Sequence, residues 1–265
     1  HCGGLRRPAR ESQREHMTPA ESADACRIPA PGIVHVWRID LQHPALLTLG
    51  NRLLTDDESE RAHRYRFDRH RTRFMAGRSA MRLLLGRYTG TDPAAIRFRY
   101  GEHGKPALPQ GSDTPTVQFN FTNSDNRAML AVAVDRIVGI DIESLRLDIN
   151  IPGLVRHILN DTEAAEFHRL PEAVRHQALL TIWTRKEAWI KALGDGFSRP
   201  LKSFSVAVDP DEDTGVLVMP EQPDEQIEWT FRLLESHPED IATLTARGTG
   251  WSCRCFDWQP EDSQQ

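Results

Sequence analysis

With 265 residues, 39% hydrophobic and 27% charged, the chain suits one large globular domain or two small ones; collagen, coiled coil and wholesale disorder are excluded. No run approaches the ~20 apolar residues of a membrane helix, since 129–134 is followed at once by Asp135 and Arg136, so a helical membrane span is excluded. The net charge of −5 conceals an asymmetry: residues 209–265 carry 14 acids against 3 Lys/Arg, while 61–87 carry nine arginines and only Asp68. A basic block that local is no signature of nucleic-acid binding and suits a phosphate-bearing ligand or an acidic partner.

Cys2, Cys26, Cys253 and Cys255 lie near the chain ends, spaced neither as a disulfide framework nor as zinc ligands, and the first residues lack the apolar segment of a secretory signal. The expected setting is the cytoplasm, with free thiols.

Residues 1–32 read as a disordered leader without chemistry, and 1–16, ahead of Met17, as an extension dispensable for folding and activity. Alternation over 33–39 predicts a first strand. Thr55-Asp56-Asp57-Glu58 predicts a capping box that opens a long helical region reaching Tyr88. Along it Arg64, Arg71 and Arg78 recur every seven residues, on a stripe separate from Phe74, Met81 and Leu85. Residues 96–100 predict a strand, 101–115 a turn-rich loop, 117–121 and 128–134 two strands joined by a polar turn, and 137–142 another strand. From 151 to 193 the pattern is helical, broken near Pro152 and Pro171 and stopped by Gly194-Asp195-Gly196. Short strands are predicted at 204–208, 215–219, 229–234, 241–246 and 251–256. This order gives an α+β chain of two similar halves, 33–134 and 135–258, with a disordered tail over 259–265.

Within Val138-Gly139-Ile140-Asp141-Ile142-Glu143, strand alternation turns Asp141 and Glu143 to one face and Ile140 and Ile142 to the other. Two carboxylates aimed alike repel unless a cation neutralises them, and Mg²⁺ takes one or two protein carboxylates with water and phosphate oxygens. In the helical run Trp183-Thr184-Arg185-Lys186-Glu187-Ala188-Trp189-Ile190-Lys191, Trp183, Glu187 and Lys191 share a stripe by i, i+4, i+8 spacing. Each segment alone also fits an ordinary amphipathic surface element. Together they offer Asp141, Glu143 and Glu187 to one metal, with Lys186, Lys191 and the arginines around 61–78 adding positive charge, a mixture suited to a diphosphate.

Gly139-x-Asp141-x-Glu143, followed forty residues later by Trp183-x-x-Lys186-Glu187-Ala188-x-x-Lys191, resembles the signature of the Sfp-type 4′-phosphopantetheinyl transferases. Gly77-Arg78 with Arg82, Gly104-Lys105-Pro106, Phe119-Asn120-Phe121-Thr122-Asn123-Ser124 and the run 196–206 agree in order, so the resemblance spans roughly 52–208. It implies two pseudo-symmetric α/β halves with the active site at their interface. The implied reaction is Mg²⁺-dependent transfer of the phosphopantetheine arm of coenzyme A to a serine of an acyl or peptidyl carrier protein, releasing adenosine 3′,5′-bisphosphate. Asp141, Glu143 and Glu187 are implied to hold Mg²⁺, with Glu187 completing the metal shell or acting as base, and Lys191 to stabilise phosphate oxygens. Contacts with coenzyme A are implied for Arg61, Arg64, Gly104, Lys105, Pro106, Thr122, Asn123, Asp141, Lys186 and Lys191. Asn123 stands where the family's Ser-His-Ser turn has histidine; it donates a hydrogen bond but carries no charge, which predicts weaker coenzyme A binding or a changed pH dependence. Arg69, Arg71 and Arg73 are the expected carrier-protein contacts, and the enzyme is expected to act as a monomer. Another Mg²⁺-dependent phosphoester enzyme, a phosphatase or nuclease, would use the same groups and is the alternative.

Overall fold

The computed structural model describes residues 28–109, 116–146, 150–194, 196, 199–212, 214–216 and 229–259. The expected leader (1–32) and tail (259–265) fall almost wholly outside these. Strand β1 (Ile33–Asp40) is apolar on both faces because both are covered: Val34 and Val36 meet one core, Trp37 and Ile39 another. After α1 (Pro44–Leu53), the Thr55–Glu58 capping box opens α2 (Asp56–His63) as the sequence predicts. The helical region then breaks instead of running through to Tyr88. Phe67 is extended (φ −112°, ψ 133°) and α3 (Asp68–Thr89) starts afresh, which leaves Arg64 off the helix that bears Arg71 and Arg78.

A short hairpin of β2 (Arg99–Tyr100) and β3 (Pro106–Ala107) precedes a longer one of β4 (Val117–Ser124) and β5 (Arg127–Val134). Three residues past Asp135 the second half repeats the plan: β6 (Val138–Ser144), then α4 (Ile151–Ile158), α5 (Asp161–Arg169) and α6 (Glu172–Leu193), then β7 (Thr214–Val216), β8 (Trp229–Leu234) and β9 (Asp240–Arg247). The predicted strand at 204–208 is instead an extended segment whose Phe204, Val206 and Val208 fill the helical core of this half. Of 215–219, residues 217–219 lie outside the described residues.

The two four-stranded sheets have orders β10-β1-β5-β4 and β6-β9-β8-β7, where β10 is Ser252–Asp257. The strand predicted at 251–256, assigned to the second half from its place in the chain, therefore completes the first sheet. It pairs parallel to β1, with Val34 opposite Cys253 and Val36 opposite Cys255. Apolar faces of both sheets meet in a shared core of Val34, Val36, Met129, Ile140, Ile142, Leu244 and Trp251, and helices cover the outer faces.

The halves also match in detail. Helices α3 and α6 each have 22 residues and end at a left-handed glycine, Gly90 (φ +64°) and Gly194 (φ +78°). The helix before each begins with a capping box whose acid, Glu58 or Glu163, reaches a buried cation on the long helix. Arg82 Nε donates to Glu58 at 2.9 Å and Lys186 Nζ to Glu163 at 2.7 Å. Arg82 and Lys186 also donate to carbonyls of the segment after their own helix, Ile96 and Phe204.

Candidate active site

The site lies where β4 of the first half, β6 of the second and α6 come together. Alternation along β6 sends Ile140 and Ile142 into the shared core and Asp141 and Glu143 toward α6. Gly139 permits the approach: a Cβ there would lie 1.9 Å from the Ala188 carbonyl oxygen. The stripe Trp183, Glu187, Lys191 faces this strand. Trp183 Nε1 donates to Glu143 Oε1 at 3.2 Å, Lys191 Nζ donates to Asp141 Oδ1, and Glu187 interacts electrostatically with Asp141 and Lys191. From β4, Thr122 Oγ1 donates to Asp141 Oδ1 at 3.1 Å and accepts from Lys191 Nζ at 3.0 Å.

Packing three acids here disfavours their charged forms. Burial pushes the Asp141 carboxyl above its usual range, against the pull of Lys191 and Thr122. Burial and then the charge of Asp141 raise Glu187, and the same two causes raise Glu143 to about 7. Asp141 Oδ2 and Glu187 Oε1 are buried with no hydrogen-bond partner among the described residues. Unpartnered carboxylate oxygens beside an ammonium form a donor set that accepts a hard cation or a proton. Among the described residues no three His, Cys, Asp or Glu side chains converge tightly enough to hold a metal by themselves. Asp141, Glu143 and Glu187 thus share one electrostatic environment without forming a ready three-ligand cage. Mg²⁺ needs only one or two such carboxylates, so the residues present fit it.

Residues 137–246 match the 4′-phosphopantetheinyl transferase superfamily, and 43–137 match the 4′-phosphopantetheinyl transferase N-terminal family. The 4′-phosphopantetheinyl transferase HetI of Nostoc sp. is 35% identical over 82% of this chain and 89% of its own length. The chain belongs to the 4′-phosphopantetheinyl transferase family. A 4′-phosphopantetheinyl transferase of Bacillus subtilis is 32% identical over 54% of this chain and 61% of its own. A holo-(acyl-carrier-protein) synthase structure from Bacillus anthracis, in complex with CoA (3′,5′-ADP), aligns with 43% of this chain and 98% of its own at 22% identity and TM-score 0.34.

Other residues singled out from the sequence lie elsewhere in the transferase. Lys186 is turned away from Asp141 and Glu187: it has 0% exposure, and its ammonium donates to Glu163 and to the Leu201 and Phe204 carbonyls. Next to Glu187 on a helix, it points a quarter-turn or more away. Lys105, whose hairpin turns at Gly104 (φ +80°) ahead of Pro106, reaches from the first half to the end of α6, donating to the Ala192 carbonyl at 2.6 Å. Burial lowers its ammonium to about 8. Arg61 and Arg64 are exposed at the end of α2, Arg61 stacked 5.3 Å over Phe74. Asn123 is exposed at the end of β4, beyond Thr122. Arg71 pairs with Asp68, Arg73 with Asn126 and Asp125, and Arg69 lies over the exposed ring of Phe67. A cleft of about 450 Å³ between Arg52, Thr55, Asp56 and Arg97 is lined by none of Asp141, Glu143 and Glu187. Unanticipated from the sequence are the bond from Trp183 to Glu143, which the i, i+4 stripe signals, and the grip of Glu58 and Glu163 on the long helices that support the site, for which the only signal is the capping pattern at the start of the preceding helix.

Proposed function

We propose that this site carries out the family's reaction, transfer of the phosphopantetheine arm of coenzyme A to a carrier-protein serine, with Asp141, Glu143, Glu187 and Lys191 as its working groups. In that reaction the serine oxygen forms a bond to the phosphorus bearing the pantetheine arm, and the bridging P–O bond breaks, releasing adenosine 3′,5′-bisphosphate. The observation that carries the assignment is the pair of buried oxygens, Asp141 Oδ2 and Glu187 Oε1, left without hydrogen-bond partners among the described residues in two acids that both feel the charge of Lys191. Asp141 and Glu143 are the residues to hold Mg²⁺; when bound, it neutralises diphosphate charge and orients the phosphorus for in-line attack. Glu187, its proton affinity raised by burial, accepts the serine proton. Lys191, held by Thr122, supplies positive charge to the bridging oxygen as it leaves.

All of these residues come from one chain, which supports action as a monomer. No helix of the described residues is long and apolar enough to cross a membrane. Together with cysteines outside any disulfide spacing, this supports a cytoplasmic setting. The deciding experiment is a mass gain of one phosphopantetheine on a carrier protein, dependent on both coenzyme A and Mg²⁺. Adenosine bisphosphate released without a carrier would instead favour a phosphoester hydrolase. In Glu187→Gln, kcat is expected to fall at least 10²-fold while calorimetric Mg²⁺ affinity changes less than about threefold; a matching loss of Mg²⁺ binding would make Glu187 a ligand instead.

A further inference from the structure

Strands β4 and β6 are the facing edges of the two sheets and belong to different sheets, so backbone pairing does not set their relative position. Side chains of β4 do. Asn120 Oδ1 accepts a hydrogen bond from the Ile140 amide at 2.8 Å, and two residues along, Thr122 Oγ1 donates to Asp141 Oδ1 at 3.1 Å. Asn120 is buried, 6% exposed, and the bond lies between groups 20 residues apart on opposite sides of the seam. The Ile140 amide is on the open edge of β6, where no further strand of its own sheet lies among the described residues. Leaving it unpaired in a buried seam carries a desolvation penalty, so the Asn120 oxygen defines a preferred seating of β6.

We infer that Asn120 is a positioning residue: its amide oxygen seats the strand bearing Asp141 and Glu143 opposite Thr122 and Lys191, and so controls the rate of transfer without touching substrate. The inference rests on the functional reading of the site given above. It follows from where Asn120 acts. The backbone amide it holds belongs to the residue directly before Asp141, so any drift of β6 moves the carboxylate that both Thr122 and Lys191 grip. An error of about 1 Å at a reacting centre costs up to 10²-fold in rate, whereas binding of the distant parts of coenzyme A is spared. Loss of Asn120 therefore falls on kcat, with KM for coenzyme A nearly unchanged.

The test compares Asn120→Leu, which keeps the bulk and removes the acceptor, with Asn120→Asp, which keeps an oxygen at the same reach, and Asn120→Ser, which is too short to bridge the seam. Steady-state kinetics with coenzyme A and a carrier protein are measured beside amide hydrogen exchange at Ile140. Asn120→Leu is expected to lower kcat about ten- to hundredfold, to hold KM for coenzyme A within about threefold, and to speed exchange at Ile140 at least about tenfold. Asn120→Asp is expected to recover kcat to within about threefold of the parent. Parental kcat in Asn120→Leu overturns the inference, as does a loss expressed in KM, or an Asp variant no better than Leu. Unfolding of both the Leu and Ser variants overturns it too, by making Asn120 a requirement of folding. A parent enzyme that leaves the carrier unmodified fails the functional reading itself, an outcome visible before any variant is compared.

Discussion

A Cβ on Gly139 would lie 1.9 Å from the carbonyl oxygen of Ala188, deep inside the helix that Gly139 faces. It would also lie 2.7 Å from the Ala192 amide nitrogen, so the obstruction is backbone on two successive turns. Ala188 follows Glu187 and Ala192 follows Lys191, so the missing side chain is what brings both site residues onto β6. Gly139→Ala is expected to cost about 3 kcal/mol or to abolish folding, because neither backbone atom can yield as a side chain does. Gly50→Ala is the control: its nearest neighbour is the flexible end of Met75 at 3.4 Å, and its effect is expected to stay within about 1 kcal/mol. Urea unfolding of the two variants checks both.

Thr122→Val removes the hydroxyl that bridges Lys191 and Asp141 and keeps the shape. The expected result is a roughly tenfold lower kcat, corresponding to about 1.4 kcal/mol for a hydrogen bond to charged groups, in a protein that melts within a few degrees of the parent. An unchanged kcat would mean that Lys191 alone holds Asp141.

Glu143 gives a pH dependence of definite sign. Its carboxyl ionises near 4.5 when unfolded and at about 7 when folded, so the folded state retains the proton to higher pH. Stability from this group is intact below 4.5, declines between 4.5 and 7, and is lowest above that. Allowing for partial exposure, Glu143→Gln is expected to be about 1–2 kcal/mol more stable than the parent at pH 8 and no more stable near pH 4.5. Saturating Mg²⁺ is expected to narrow the gap at pH 8 by stabilising the parent. Denaturant titrations at the two pH values, with and without Mg²⁺, measure this.

Lys186→Met separates a structural lysine from a phosphate-binding one. It leaves Glu163 buried without its cation, at an expected cost of about 3–5 kcal/mol. Kinetics of the remaining folded enzyme are expected to show KM for coenzyme A within about twofold of the parent. A tenfold rise in KM without loss of stability would return Lys186 to the phosphates.

Period and spacing made half of the site legible in the sequence. Two acids two apart on a strand, and three residues four apart on a helix, have few ways to face, and Asp141, Glu143, Trp183, Glu187 and Lys191 do share a side. The same geometry sets Lys186 apart: it sits off the Trp183 stripe and has only its charge in common with Lys191. Glu58 and Glu163 were hidden because a capping acid looks the same whether it ends at the cap or, as here, also grips a cation from the next helix. The partner of β10 was illegible for another reason: a parallel pair joined across most of the chain has no turn between its strands to announce it.

That pairing has a consequence for the protein's modularity. Severing the polypeptide near Asp135 would give one fragment with a raw flank along β1 and another carrying an orphaned ribbon at 252–257. Alike as the two halves are, they cannot be exchanged as cassettes; the final strand stitches them into a single piece.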